Sequence, residues 1–389
     1  MTEWEKVVSL IPLTPNERVK WDKLEKTALK DHIEKMKKTP QNPLWHGEGD
    51  VWTHTKMVAE SLLSDGEYHA LPLRKREILF VSALMHDIGK PLCTVKEDGV
   101  FRSPRHTIVG SNVARELLWR DFGMAGSEEM RALRECVCTL IRCHSMPMHL
   151  SEQPDPERRL IRIAAHGELI PDFTLQMLKI LVKADQNGRI SDEDNSEEAV
   201  YSFMLAEELG IMHAPYPFPD GITRYAYLSG KNVSRDYPLY DSTWKEVILV
   251  AGLPGTGKDR WINENYPSLP VISLDAIRLE LGISPGDREG QGKVVSVARD
   301  RARELLRKKQ SFVWNATNVT SQLRKKQLEL FEDYNAYTRI VFLETAFGTE
   351  LKRNGERKNA VPESVIQKLL SKTEMPAVSE AHSVMWLTV

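Results

Sequence analysis

The segment Gly252-Leu-Pro-Gly255-Thr256-Gly257-Lys258-Asp259 constrains this chain more than any other, because it directly follows the apolar run 247–251. An apolar run closed by glycine reads as a buried strand, and the loop then opens a helix. Backbone amides of Gly252, Gly255, Thr256 and Gly257 converge on the space before that helix, whose N-terminus adds positive potential. Lys258 stands where its ammonium reaches β- and γ-phosphate oxygens. The spacing fits Gly-x-x-x-x-Gly-Lys-[Ser/Thr] except at Asp259, a carboxylate where a hydroxyl usually meets Mg2+. The pattern predicts binding of ATP or another NTP together with Mg2+ or Mn2+. It leaves open whether Asp259 holds the ion or another group does.

Strand and helix alternate around this loop. Short apolar runs at 270–274, 312–314 and 339–343 are separated by helical patterns at 293–309, 320–333 and 346–354. Such alternation predicts a parallel sheet with helices on both faces. The front of the chain differs. Apolar residues recur at helical spacing in 77–86, 112–119, 131–141 and 173–183, and strand patterns are nearly absent. Between the halves, Ala214-Pro-Tyr-Pro-Phe-Pro219 cannot be a helix interior, because proline lacks the amide donor and clashes with the preceding turn. At 389 residues the chain exceeds one comfortable core. The expected division is a helical N-terminal extension at 1–40, an all-α domain at 41–211, a linker at 212–243 and an α/β P-loop domain at 244–389.

The front half carries His54, His86, Asp87, His106, His144 and Asp185, with His46 and Glu48 close in sequence to the first. His86 and Asp87 end an apolar helix. Neighbouring helical side chains diverge by about 100°, so the two can share an ion only where the helix stops, which Gly89 permits. Two imidazoles and two carboxylates suit a divalent Mn, Fe, Co, Ni or Zn ion. An open coordination position would then activate water and polarise a phosphoryl oxygen. Lys90 is read either as a neutraliser of phosphate charge or as an exposed lysine at a helix end. Cys136, Cys138 and Cys143 lack zinc-pair spacing and read as small buried residues.

The series His54, His86-Asp87, Asp185 resembles the HD superfamily of metal-dependent phosphohydrolases. His106 followed by Gly110, and then His144, resemble the extra ligands of its binuclear members. Arg105-His-Thr-Ile-Val-Gly110, Ile141-Arg-Cys-His144 and Ala184-Asp-Gln-Asn-Gly-Arg189 resemble the HD modules of bacterial CCA-adding enzymes, which open 2′,3′-cyclic phosphates and remove terminal phosphates. The resemblance implies one or two divalent transition metals on these residues, and Asp87, with Lys90 as charge neutraliser, is the expected catalytic group.

In the back half, Ile272-Ser-Leu-Asp275-Ala-Ile-Arg278 puts a carboxylate at a strand's end, where it could accept a hydroxyl proton. The alternative is that Asp275 only caps a helix. Arg278 follows one turn later, Asn315-Ala-Thr-Asn318 closes another strand, and Arg353 and Arg357 are spaced to share a helix face. This ordered set resembles the 5′-hydroxyl polynucleotide kinases over about 245–372. The resemblance implies Asp275 as general base, Arg278 on the acceptor phosphate, and Arg353 and Arg357 as lid residues with Arg324 joining them. Asn318 would sit beside the nucleotide, and Arg278, Asn318 and Arg324 are the expected substrate-binding residues. Together the halves resemble the bacterial HD–polynucleotide kinase end-healing enzymes. That implies kinase action on 5′-OH ends, phosphoesterase action on 2′,3′-phosphate ends, RNA or DNA ends as partners, and a separate ligase downstream. An HD nucleotidase fused to a small-molecule kinase, and a nucleotide-sensing regulator, are the alternatives.

A net charge of −2 excludes a globally basic nucleic-acid binder. Between Lys293 and Lys326, however, ten Lys and Arg stand against two acids, the footprint a phosphate backbone attracts. No run approaches the ~18 apolar residues of a membrane span. The mixed-charge N-terminus has no apolar secretory core. Four cysteines make no disulfide framework, so a reducing cytoplasm is expected.

Overall fold

The computed structural model describes residues 1–12, 17–194, 196–284, 286–357 and 360–389, with the backbone alone at Arg288. Contacts divide the chain into two units, Met1–Ala125 with Glu129–Tyr216, and Gly126–Glu128 with Pro217–Val389.

The first unit is built on the helix Leu73–Met85, in which every residue from Ile78 to Met85 is buried. A helix apolar on all sides must be surrounded, and here Val51–Ser64 and Leu175–Asn187 pack against it. Asp50 fixes the start of the first neighbour by accepting the Trp52 and Thr53 amides, and Thr174 accepts the Met177 amide at the start of the second. The described residues of 1–40, expected as a helical extension, pack into this unit. Val7, Leu24, Ile33 and Met36 are buried, and the helices Glu3–Val8 and Lys30–Lys37 pack on Leu73–Met85 and Val51–Ser64. A short hairpin, β1 (Val95–Glu97) and β2 (Val100–Arg102), was not legible in the sequence. Its residues are exposed or half-buried and carry no apolar alternation.

In the second unit, β3 (Glu246–Ala251), β4 (Val271–Ser273), β5 (Val313–Asn315), β6 (Tyr337–Glu344) and β7 (Ser383–Thr388) form one parallel sheet in the order β4-β5-β3-β6-β7. Ile248, Val250, Ile262, Val313, Val341 and Leu343 make its buried core. Four strands match the apolar runs. The edge strand β7 was not expected, because only Val384 and Trp386 of it are buried. The stretch read as a loop-rich linker also holds structure. Directly after the prolines, Asp220 caps the helix Gly221–Leu228, and its residues Tyr225 to Leu228 are buried. No helix among the described residues is long and apolar enough to cross a membrane.

Candidate active sites

In the first unit, three helix ends deliver the imidazoles. His86 follows the last residue of Leu73–Met85, His106 opens His106–Arg120, and His144 follows Glu128–Cys143. Close approach here needs Gly89, since a Cβ on it would lie 2.4 Å from the Gly110 nitrogen and the His106 carbonyl. Each ring is pinned alike. Nδ1 of His86, His106 and His144 donates to the carbonyl three residues back, at Ala83, Ser103 and Ile141, over 2.8, 3.1 and 2.8 Å. With Nδ1 protonated, each Nε2 lone pair points at Asp87.

Asp87 is the hub. Its Oδ2 lies 3.3 Å from His86 Nε2, 3.8 Å from His54 Nε2 and 2.6 Å from Lys90 Nζ. Its Oδ1 lies 3.6 Å from His106 Nε2 and 4.0 Å from His144 Nε2. The ligand atoms of His54, His86 and Asp87 lie within 4.8 Å of one another, as do those of Asp87, His106 and His144. Asp185 Oδ1 lies 3.0 Å from His54 Nε2 and 3.9 Å from His86 Nε2. All six predicted residues therefore converge. Lys90 is not an exposed lysine at a helix end. It is buried, and its ammonium also donates to Gln41 Oε1 over 2.7 Å.

The electrostatics follow from burial against neighbouring charge. Burial would raise the carboxyl of Asp87, but Lys90, His86 and His106 hold it well below the carboxylate range. Burial works likewise against Asp185, where the contact with His54 wins and keeps it ionised. His144 is pushed down to about 3 by burial beside His86 and His106, and burial also lowers His106. His54 moves the other way, to about 9, because Asp185 and Glu48 outweigh its burial. The His86 Nε2 and Asp87 Oδ1 atoms are buried without a hydrogen-bond partner. His86 Nε2 belongs to the set around Oδ2 and Oδ1 to the set of His106 and His144, so each set offers a buried, unmatched ligand atom that a cation would satisfy. The three remaining cysteines behave as expected: Cys136, Cys138 and Cys143 are buried, and burial raises their thiols, Cys138 and Cys143 to about 12.

In the second unit the loop leaves the carboxyl end of β3, where the sheet order reverses and open α/β sheets place ligands. Gly252 and Gly255 have φ of 145° and 89°. A Cβ on them would meet the Leu343 carbonyl at 2.5 Å and the Glu350 carbonyl at 2.6 Å. Thr256 Oγ1 donates to the Leu253 carbonyl over 2.8 Å. Gly257 precedes the helix Lys258–Asn265. Lys258 Nζ rests on the carbonyls of Gly252 and Leu253 at 2.9 and 2.8 Å, and burial pushes it down to about 8. Asp259 Oδ1 accepts from Asn315 Nδ2 over 2.6 Å.

Asp275 is not the helix cap. Ser273 caps Leu274–Leu281, and Asp275 sits exposed in the first turn, paired with Arg278. Arg278 Nε also donates to Gln291 Oε1 over 2.7 Å. Arg357 does not share a helix face with Arg353, because that helix ends at Gly355. Its guanidinium nonetheless comes to 3.9 Å from Asp275 Oδ2, and Arg353 lies beside Gly257 with Nη1 3.5 Å from the Val389 carbonyl. Two of the expected substrate-binding residues are engaged in packing. Arg324 is fully buried, forks onto Glu380 at 2.7 and 2.8 Å and donates to the Asn318 and Glu374 carbonyls, so it braces the fold. Asn318 is buried and donates to the Val250 carbonyl over 3.2 Å, fastening β3 below the loop.

The basic run is not one footprint. Arg301 and Arg303 pair with Glu280 and Asp300, and Arg299 donates to the Lys326 carbonyl. The helix Arg288–Arg307 leads into the start of β5, so Arg307, Lys308 and Lys309 lie toward the amino ends of the strands, opposite the glycine loop at the carboxyl end of β3. Lys293, four turns earlier on the same helix, is about 20 Å from them at ~1.5 Å per residue. Sequence reading also missed Gln41 and Glu350. Neither belongs to a motif, and both enter a site only through packing.

A family model described as an HD domain matches residues 51–165, and one described as an AAA domain matches residues 247–376. A helical region that matches an HD domain is thus followed by a parallel-sheet region that matches an AAA domain. Among solved structures, a protein of Chloroflexus aurantiacus provisionally described as a kinase is 18% identical, with a TM-score of 0.32 over 38% of this chain and 86% of its own. That degree of likeness adds nothing to either site.

Proposed function

We propose that this chain repairs broken nucleic-acid ends, phosphorylating 5′-OH termini with its AAA domain and clearing 2′,3′-phosphates with its HD domain. The observation that carries the phosphoesterase half is the division of Asp87 between two imidazole sets, one on each carboxylate oxygen. His54, His86, Asp87 and Asp185 would hold one divalent ion, and Asp87, His106 and His144 a second. Bound there, such ions supply an activated water and stabilise charge on attacking and leaving oxygens. Asp87 bridges the two sets, the pinned rings keep their lone pairs aimed inward, and Lys90 adds positive charge beside the phosphoryl oxygens. Two-sided charge stabilisation suits a dianionic monoester as well as a cyclic diester, so the product is a free 2′,3′-OH end.

In the second unit the glycine loop cradles the nucleotide phosphates, and Lys258 exchanges its two carbonyl partners for β- and γ-oxygens. Asp275, exposed at the carboxyl edge of the sheet, takes the proton of the attacking hydroxyl. Arg278 and Arg357 flank it and grip the acceptor phosphate and the transferred group. The basic run's dispersal favours a second reading, a small-molecule acceptor for the kinase. An end-labelled RNA bearing 5′-OH and 2′,3′-cyclic phosphate separates them. With ATP and Mn2+ both ends should be healed, and a nucleoside should be a poor acceptor. Phosphorylation of the nucleoside alone sinks the polynucleotide reading. A product halted at a 2′- or 3′-phosphate under every divalent metal sinks the HD half.

A further inference from the structure

We infer that Glu48 is the positioning residue for His54, fixing the ring orientation that presents Nε2 to the metal centre. The inference rests on the HD reading above. His86, His106 and His144 each use a main-chain carbonyl three residues back as the acceptor for Nδ1. His54 has no such acceptor, because it lies inside the first turn of Val51–Ser64. There the Val51 carbonyl is engaged by Thr55 Oγ1 over 2.8 Å and by the helix itself. Glu48 fills the gap from the preceding loop. Its side chain is 1% exposed, and Oε1 accepts from His46 Nδ1 over 2.9 Å and stands at ion-pair distance, 2.9 Å, from His54 Nδ1, a buried nitrogen that has no formed hydrogen bond. Oε2 accepts the Ile190 amide over 2.9 Å, and the Gly47 amide donates to the Ile190 carbonyl over 2.7 Å. The carboxylate is therefore held on the segment that follows Asp185, so the partners of both His54 nitrogens are set from one helix end.

A carboxylate behind a ligating imidazole fixes its tautomer and raises its basicity more than a carbonyl does. His54 is thus the ligand most sensitive to what stands behind it. The test uses the full-length protein, Glu48→Ala and Glu48→Gln, titrated with Mn2+ by calorimetry, alongside 15N-histidine spectra of the Zn2+-loaded forms. Glu48→Ala should weaken the first metal about 10–100-fold and lose the His54 Nδ1–H signal. Glu48→Gln, which keeps an acceptor oxygen, should recover part of both. Circular dichroism and kinase activity report that each variant is folded. Wild-type binding with an unchanged Glu48→Ala affinity and His54 spectrum overturns this assignment alone. Failure of the wild type to bind Mn2+ or any other divalent ion overturns the HD reading beneath it.

Discussion

Asp259 and Glu350 are the two carboxylates whose surroundings make them measurable residue by residue. Asp259 brings full charge where other glycine loops have a neutral hydroxyl, and Asn315 orients it. A hard cation prefers such an oxygen. Asp259→Ala should therefore demand more Mg2+ for the same kinase rate, and an unshifted Mg2+ titration would show that the side chain only serves Asn315. Glu350 is buried with neither oxygen hydrogen-bonded, and burial raises it to about 8 against the pull of Lys258. The folded form thus holds a proton that the unfolded chain has released above its ordinary 4.5. Stability conferred by the neutral acid is complete below that value and is lost as pH climbs toward about 8. Lys258, lowered to about 8, titrates in the opposite sense only above this window. Glu350→Gln should consequently gain melting temperature over wild type as pH rises through the window. A constant difference across it would mean that Glu350 is already partnered.

At the scale of elements, two contacts decide whether the sites assemble. Gly89 lets the start of His106–Arg120 reach the end of Leu73–Met85, with main-chain atoms 2.4 Å from where a Cβ would sit. Overpacking of backbone typically costs about 1–3 kcal/mol. Gly89→Ala should lower the stability of the first unit by that order and reduce phosphoesterase activity, with kinase activity kept. Full phosphoesterase activity would mean the helices can separate without harm. Arg324 makes the second contact, joining the helix Ser321–Glu332 to Glu380 and to two carbonyls. Removing one partner of a buried ion pair costs about 3–5 kcal/mol. Arg324→Met should lower the melting temperature of the second unit and leave KM for the acceptor unchanged. A raised KM in a protein of unchanged stability would return Arg324 to the substrate.

At the scale of the whole molecule, each set of functional residues is complete within one unit. Asp87→Ala should abolish phosphoesterase activity and spare the kinase. Asp275→Ala should lower kinase turnover by about 10²–10⁴, the usual share of a general base, and spare the phosphoesterase. Parallel assays on the two ends of one RNA read both variants. Loss of both activities from either substitution, in folded protein, would mean the units are coupled.

What the chain's linear pattern determined was local and periodic. The glycine loop after an apolar run, the His-Asp pair at the end of an apolar helix, and the strand–helix alternation each declare themselves within a few residues. Their physics is short-range: backbone freedom, helix termini and the burial of one face. The six candidate ligands, each uninformative taken singly, were nameable only because their order resembles that of the HD phosphohydrolases. Tertiary structure alone decided which oxygen of Asp87 faces which ring, that Lys90 turns inward, and that Arg324 and Asn318 brace the fold. The ten cations of 293–326 looked like one surface only while their two helices lay end to end in sequence. Folding sets the two ends of Arg288–Arg307 apart along the strand direction, pairs Arg301 and Arg303 with acids and buries Arg324 of the next helix against Glu380. Burial, partner and direction are properties of packing between distant segments, and no local pattern contains them.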